Sequence, residues 1–250
     1  MKPALFSAAL IFAASLSSVT YAESVEDKLK AAMNDEIRTQ AEKDRDRNRR
    51  PIQTLEFFGL QDDMKILEFL PGGGWYTKLL APTVAENGSY YAAIGTARIN
   101  DRLAGKAGFE KMMVLETEDN LRRPEGSRFY VMDKFTLSEK DFDMVLTFRN
   151  YHNFAEEGRV AMNEAAFAAL KSGGVYAVVD HTRRHMEGTN DENRRRFDPV
   201  LAIKEIQAAG FKFVDYSKLH FKADDELRYE VGRKSVTGNT DRFTLKFVKP

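Results

Sequence analysis

From residue 65 onward, short apolar runs of strand length alternate with stretches whose apolar residues recur at helical spacing. The runs predict strands at Ile66–Leu70, Ser89–Ile94, Arg128–Asp133, Asp143–Phe148 and Val175–Asp180, with Met112–Glu116 as a further short strand or edge. Helical spacing predicts helices at Ile52–Gly59, Trp75–Val84, Glu156–Leu170 and Asp198–Ala209, and glycine follows several of them as a stop. Arg98–Lys111 reads as a polar helix or loop. Alternating strands and helices of this kind imply a parallel sheet with helices on both faces. The last two runs, Phe211–Leu219 and Phe243–Val248, have no helix between them, which suits an antiparallel pair at one edge.

Two charged stretches interrupt this pattern. Residues 23–50 carry sparse apolar positions at Val25, Leu29, Ala32, Met33 and Ile37, predicting a weakly amphipathic helical segment on the surface of the domain formed by residues 51–250. It ends in the mixed-sign run from Asp44 to Arg50, which reads either as a solvated face or as a source of one or two arginines folded over a nearby ligand crevice. Residues 183–197 are equally charged and read as a loop, with Arg194-Arg195-Arg196 as a solvated run.

Composition narrows the function. Lys+Arg and Asp+Glu are both 38 in 250 residues, so no global field draws the chain to nucleic acid or to a membrane surface. Cysteine is absent, which excludes disulfides, thiolate catalysis and cysteine-based metal sites. Residues 1–22 have the pattern of a cleavable signal peptide: Lys2, an apolar stretch from Ala4 to Leu16 too short to span a bilayer, and Thr20-Tyr21-Ala22 as a cleavage site. The expectation is a periplasmic or secreted protein with no membrane attachment after cleavage.

The candidate chemistry starts at Glu68-Phe69-Leu70-Pro71-Gly72-Gly73-Gly74-Trp75-Tyr76-Thr77. A strand, a glycine turn and a helix offer free backbone N–H groups, and glycine lets a ligand lie directly on the backbone. Glu68, at the strand end, is expected to face the same crevice. Glycine motifs alone are also tight turns and nothing more. Trp75 reads as a core or rim aromatic, with stacking on a ligand as the alternative.

With the surrounding motifs, the chain resembles a class I S-adenosylmethionine-dependent methyltransferase, more narrowly an exported predicted-methyltransferase family with a Pro-Gly-Gly-Gly-Trp-Tyr-Thr first motif. The residues that carry the resemblance are Arg50-Pro51, Thr54 to Gly59, Leu67 to Thr77, Leu79 to Pro82, Thr147 to Asn153, Lys171 to Gly174, Val179-Asp180-His181 and Asp241 to Phe247. It implies a Rossmann-like seven-strand sheet, mostly parallel with an antiparallel C-terminal strand. It also implies S-adenosyl-L-methionine as cofactor, held by Glu68, Gly72, Gly73, Gly74 and Asp133, with Asp133 at the adenine. Two departures stand out: Leu70 occupies one of the glycine positions, and Ala92-Ala93-Ile94-Gly95 has no acid for the ribose hydroxyls.

In this fold the segment after the fourth strand lies beside the methyl group, and here it is Arg149-Asn150-Tyr151-His152-Asn153. His152 is the candidate general base because its ordinary pKa lies near neutrality. Asn150 or Asn153 would orient an acceptor and Tyr151 would stack on it. The bland alternative for His152 is a hydrogen-bonded structural histidine. Asp180 and His181, with His152 and His185, have donors for a metal, but no close ligand spacing supports one and none is expected. The leading expectation is a methyltransferase acting on a small molecule; the alternative is a non-catalytic protein of the same fold holding another ligand.

Overall fold

A computed structural model describes residues 23–117 and 121–250; the expected signal peptide at 1–22 lies outside the described residues. Seven strands form one sheet: β1 (Lys65–Phe69), β2 (Ser89–Ala93), β3 (Met113–Leu115), β4 (Phe142–Phe148), β5 (Leu170–His181), β6 (Lys212–Tyr216) and β7 (Arg242–Val248). Their order is β3-β2-β1-β4-β5-β7-β6. Strands β1 to β5 pair in parallel, and β7 runs antiparallel to both β5 and β6. The expected sheet is observed, with one more antiparallel neighbour than a simple terminal hairpin provides.

Alternation along β1 sends side chains into two cores. Leu67 and Phe69 join the core beneath α7 (Glu156–Ala169) and α8 (Pro199–Ala208). Ile66 joins the opposite core, beneath α1 (Val25–Asn34), α4 (Pro51–Phe58), α5 (Thr77–Val84) and α6 (Ala97–Leu103). Local chemistry sets the helix ends: Pro51 and Pro199 each occupy a first helical turn, the Asp198 carboxylate accepts from Val200 and Leu201, and Gly59 closes α4 with φ 85°.

The segment 23–50 is three helices rather than one: α1, α2 (Gln40–Lys43) and α3 (Asp46–Arg49). The Asp35 carboxylate accepts from the Ile37 amide, which breaks the first helix. A reciprocal cap between Thr39 and Glu42 then starts the second. This strap packs Leu29 and Ala32 into the core and folds over the C-terminal rim of the sheet.

Arg128–Asp133 does not form the predicted strand. Tyr130 instead pairs with the turn before α7, donating to Asn153 O and accepting from Ala155 N. The third strand of the sheet is the short run Met113–Leu115.

Candidate active site

The chain reverses direction of winding between β1 and β4, and loops leaving that switch point open a crevice at the C-terminal ends of the strands. A cavity of about 370 Å³ lies there. Leu70 and Gly72 line it from the loop after β1, Gly95, Ala97 and Arg98 from the connection after β2, and Asn150, Asn153 and Phe154 from the segment after β4. The three strands that feed the crevice are each followed by a non-glycine residue in the left-handed region: Leu70 (φ 54°), Ile94 (φ 65°) and Arg149 (φ 64°). Side chains pay steric energy for that conformation, so three such residues in one rim concentrate strain at the ligand crevice. Leu70, the departure from the glycine pattern, thus adopts the backbone that a glycine would adopt without cost.

The glycines divide their work. Gly72 (φ 59°) is exposed, lines the cavity and has no atom within 4 Å of the position a Cβ would take. Gly73 is exposed beside the guanidinium of Arg102. Gly74 (φ 83°) is buried, and a Cβ there would lie 3.1 Å from both Ile99 and Leu103, so it serves packing against α6.

Glu68 departs from expectation. It does not line the cavity; it is 3% exposed, and its Oε2 accepts from Thr77 Oγ1 at 2.8 Å and from the Tyr90 hydroxyl at 2.6 Å. Burial pushes its carboxyl up to about 7, against the opposing effect of those two hydrogen bonds. The side chain follows Ile66 into the face beneath α5, so it ties the first turn of that helix to the strand from behind the loop.

Asp133 is a second correction. Its segment does not join the sheet, and although Tyr130 of that segment lines the cavity, Asp133 does not; it is half-exposed, with Arg122 at 3.3 Å. Tyr151 is a third: it is fully buried, its hydroxyl donates to Glu205 at 2.8 Å, and Asn163 donates to it, so it cannot stack on an acceptor. Asn150 stays at the crevice, where its amide donates to the carbonyls of Leu70 and Phe148 and ties the β1 and β4 loops together.

His152 sits in the 3₁₀ turn Tyr151–Asn153 with its Nδ1 2.6 Å from Asp180 Oδ1, while its backbone N–H donates to Asp180 Oδ2. A proton on Nδ1 donated to Asp180 leaves the Nε2 lone pair as the basic site. His152 lines a second cavity of about 270 Å³, which shares Phe154 with the first. Both readings of this histidine therefore find support in one geometry, because Asp180 locks the turn and orients the ring. His181, next in the chain after Asp180, accepts from Arg149 Nε at Nε2 and has Thr240 Oγ1 2.9 Å from Nδ1. Burial and the charges of Arg242 and Arg149 push His181 well below the usual histidine range, so it is neutral. His185 pairs with Asp198 instead, and no group of three metal-ligating side chains converges among the described residues.

Sequence reasoning left open whether the charged end of the strap is solvated or folds over the rim, and it gave Trp75 no partner there. Trp75 is held beneath the strap: its indole N–H donates to Glu42 O, and Arg38 and Arg49 lie over its ring at 5.0 and 4.1 Å. Arg49 is thus one of the arginines folded over the rim. Arg196, expected to be solvated, is buried in a two-pronged pair with Asp225.

No protein-family model matches the chain, and no curated protein matches it. Solved structures do. A SAM-dependent methyltransferase from Aquifex aeolicus aligns over 90% of this chain and 98% of its own, with a TM-score of 0.57 and 17% identity. The chain has the class I methyltransferase fold. The [4+2]-cyclase SpnF aligns over 81% of this chain and 80% of its own, with a TM-score of 0.55 and 16% identity. Human N-acetylserotonin methyltransferase, solved in complex with SAM, aligns over 90% of this chain and 56% of its own, with a TM-score of 0.52 and 13% identity. At these identities the likeness shows the fold.

Proposed function

We propose that the protein is an S-adenosylmethionine-dependent methyltransferase acting on a small molecule. The observation that carries this reading is the pairing of an open glycine crevice at the switch point with an Asp180-oriented His152 in the neighbouring cavity. The crevice fits the cofactor in volume, since sites for ligands of this size run from roughly 300 Å³ upward. It also fits in backbone, because Gly72 leaves the chain uncovered where a ligand would rest. Gly72, Gly73, Asn150 and Asn153 would hold the cofactor, which supplies an electrophilic methyl group when bound.

The chain's own residues do the rest. Asn150 fixes the β1 and β4 loops relative to each other, so the crevice keeps its shape. His152, with Nδ1 anchored, takes a proton from the acceptor at Nε2. Export to the periplasm or beyond rests on residues 1–22 and belongs to the same proposal. Calorimetry with S-adenosylmethionine and S-adenosylhomocysteine should give saturable heat and a thermal shift; neither response at millimolar ligand would sink this reading.

A second reading, a binding protein holding another ligand in the crevice, is favoured by one observation. Where the ribose hydroxyls would need an acceptor, the described residues that line the crevice provide no carboxylate, and Arg98 stands after β2 instead. The cyclase SpnF gives it a precedent, a similar fold whose named activity is not methyl transfer.

A further inference from the structure

Four arginines gather at the rim on the strap side of the crevice: Arg49 of the strap lies over Trp75, Arg149 after β4 reaches His181, Arg242 at the start of β7 reaches the strap, and Arg45 of the strap is near enough for its charge to act on the other three. Arg242 lies opposite His181 in the β5–β7 register, and Arg149 donates to that same histidine. Arg242 also donates to Asn48 O, which draws the strap onto the rim. Each guanidinium feels the others: the charge of Arg149 and Arg45 acts on both Arg49 and Arg242. At the centre is Tyr76, stacked on Phe148 at 3.5 Å and 5.8 Å from the Arg49 guanidinium.

These arginines lack what other buried arginines in the molecule have. Arg38, Arg159 and Arg196 each pair with a carboxylate, respectively Asp46, Glu205 and Asp225. Among the described residues, none of the four rim arginines makes a salt bridge. Arg49 and Arg242 are at least nine-tenths buried, and the Nε of each is buried with no hydrogen-bond partner. Burial pulls their guanidinium groups down to about 9 and about 10, respectively. Collecting unpaired cations away from water is unfavourable unless an anion completes the set. Two carboxylates lie near, but Asp180 is committed to His152 and to the His181 amide, and Glu68 to Thr77 and Tyr90. Four cations against those two leave an excess that a singly charged anion does not neutralise.

We propose that Arg45, Arg49, Arg149 and Arg242 form a binding site for a doubly charged oxyanion, the phosphate of a phosphate monoester. Guanidinium groups suit that geometry because their N–H donors match phosphate oxygens in pairs. Arg45 and Arg149 are only partly buried and provide the entrance, while Arg49 and Arg242 form the floor. The role of the anion as a handle on the methyl acceptor rests on the methyltransferase reading; its binding does not.

The test uses the full chain with inorganic phosphate as probe, at fixed ionic strength, read by calorimetry and thermal shift without S-adenosylmethionine. Phosphate should bind saturably and raise Tm, while acetate at equal concentration should not. Arg149→Gln and Arg45→Gln should each weaken phosphate binding by about tenfold or more. Each should also raise Tm in phosphate-free buffer, because removing one of several unpaired like charges relieves repulsion. Arg228→Gln, on the exposed surface, controls for general charge. Absence of a phosphate response in the unmodified chain, or an undiminished response in both rim variants, overturns the site. An acetate response equal to that of phosphate overturns its double charge. Failure to bind S-adenosylmethionine would remove the methyltransferase reading and leave this result standing.

Discussion

Two halves of one rim are built in opposite ways. The crevice at the β1–β4 switch point is built on backbone: an exposed glycine, a strained Leu70 and an open cavity that the uncharged Asn150 holds in shape. The rim over β4, β5 and β7 is made of side chains brought from four distant segments, with Asp180 fixing His152 and arginines crowding around Tyr76. Burial raises the Tyr76 phenol to about 12 even though Arg49, Arg242 and Arg149 act to lower it, so it stays protonated. The difference teaches where each half is vulnerable. A backbone site loses function by obstruction at little cost in stability, whereas in the side-chain rim function is coupled to stability: removing a committed carboxylate lowers both, and removing an unpaired arginine weakens binding while relieving repulsion.

The sharpest test of that contrast is Asp180→Ala. Asp180 is fully buried and accepts from the His152 and His181 amides as well as the His152 ring, so the variant should lose roughly 3–5 kcal/mol in denaturant unfolding. His152→Ala, by contrast, should keep S-adenosylmethionine affinity and lower turnover of an acceptor by roughly 10²–10⁴. Equal turnover in His152→Ala and the unmodified chain would remove the histidine from the mechanism.

Glu68 and His220 set opposing pH dependences. Glu68 is raised from 4.5 to about 7 by burial, so the folded chain holds its proton more tightly than the unfolded chain. Its contribution is full below pH 4.5 and is lost as pH rises through 7, an amount of roughly 3 kcal/mol. His220, which links Arg49 O to Thr244, is lowered by burial to about 4. Its contribution is present above pH 6.5 and is lost as pH falls through 4. Glu68→Gln should therefore flatten stability between pH 5 and 8 and expose the acid loss that His220 causes. Parallel Tm curves for variant and unmodified chain across that range would refute the assignment.

The smallest effect on stability belongs to Gly72→Ala. With φ 59° and open space around the new Cβ, it should cost about 1–2 kcal/mol, while calorimetry should show S-adenosylmethionine binding greatly weakened. Unchanged affinity would move the ligand off the glycine turn.

What could be read in advance divides along the same line. Strand β1, the glycine turn and α5 follow one another within twenty residues, so periodicity and turn chemistry were enough to place them. Asp133 misled because an apolar run of strand length is not committed to a sheet; its amides paired with the turn before α7 instead. Tyr151 misled because a polar segment says nothing about which of its side chains turns inward. The direction of Glu68 was legible in principle, since alternation puts it on the side of Ile66, but its partner Tyr90 lies on the neighbouring strand and depends on register.

By itself, the sequence determined the α/β alternation, the antiparallel end of the sheet and the glycine crevice, because each is a local pattern of apolar spacing and backbone freedom. Only the tertiary structure decided that the charged strap closes on the rim. It also decided that Asp180 orients His152, and that four arginines from three separate parts of the chain share one place with no carboxylate paired to any of them among the described residues. Charge in a sequence has no address until folding decides which groups lose their water, and here that loss separates a solvated run from a binding site.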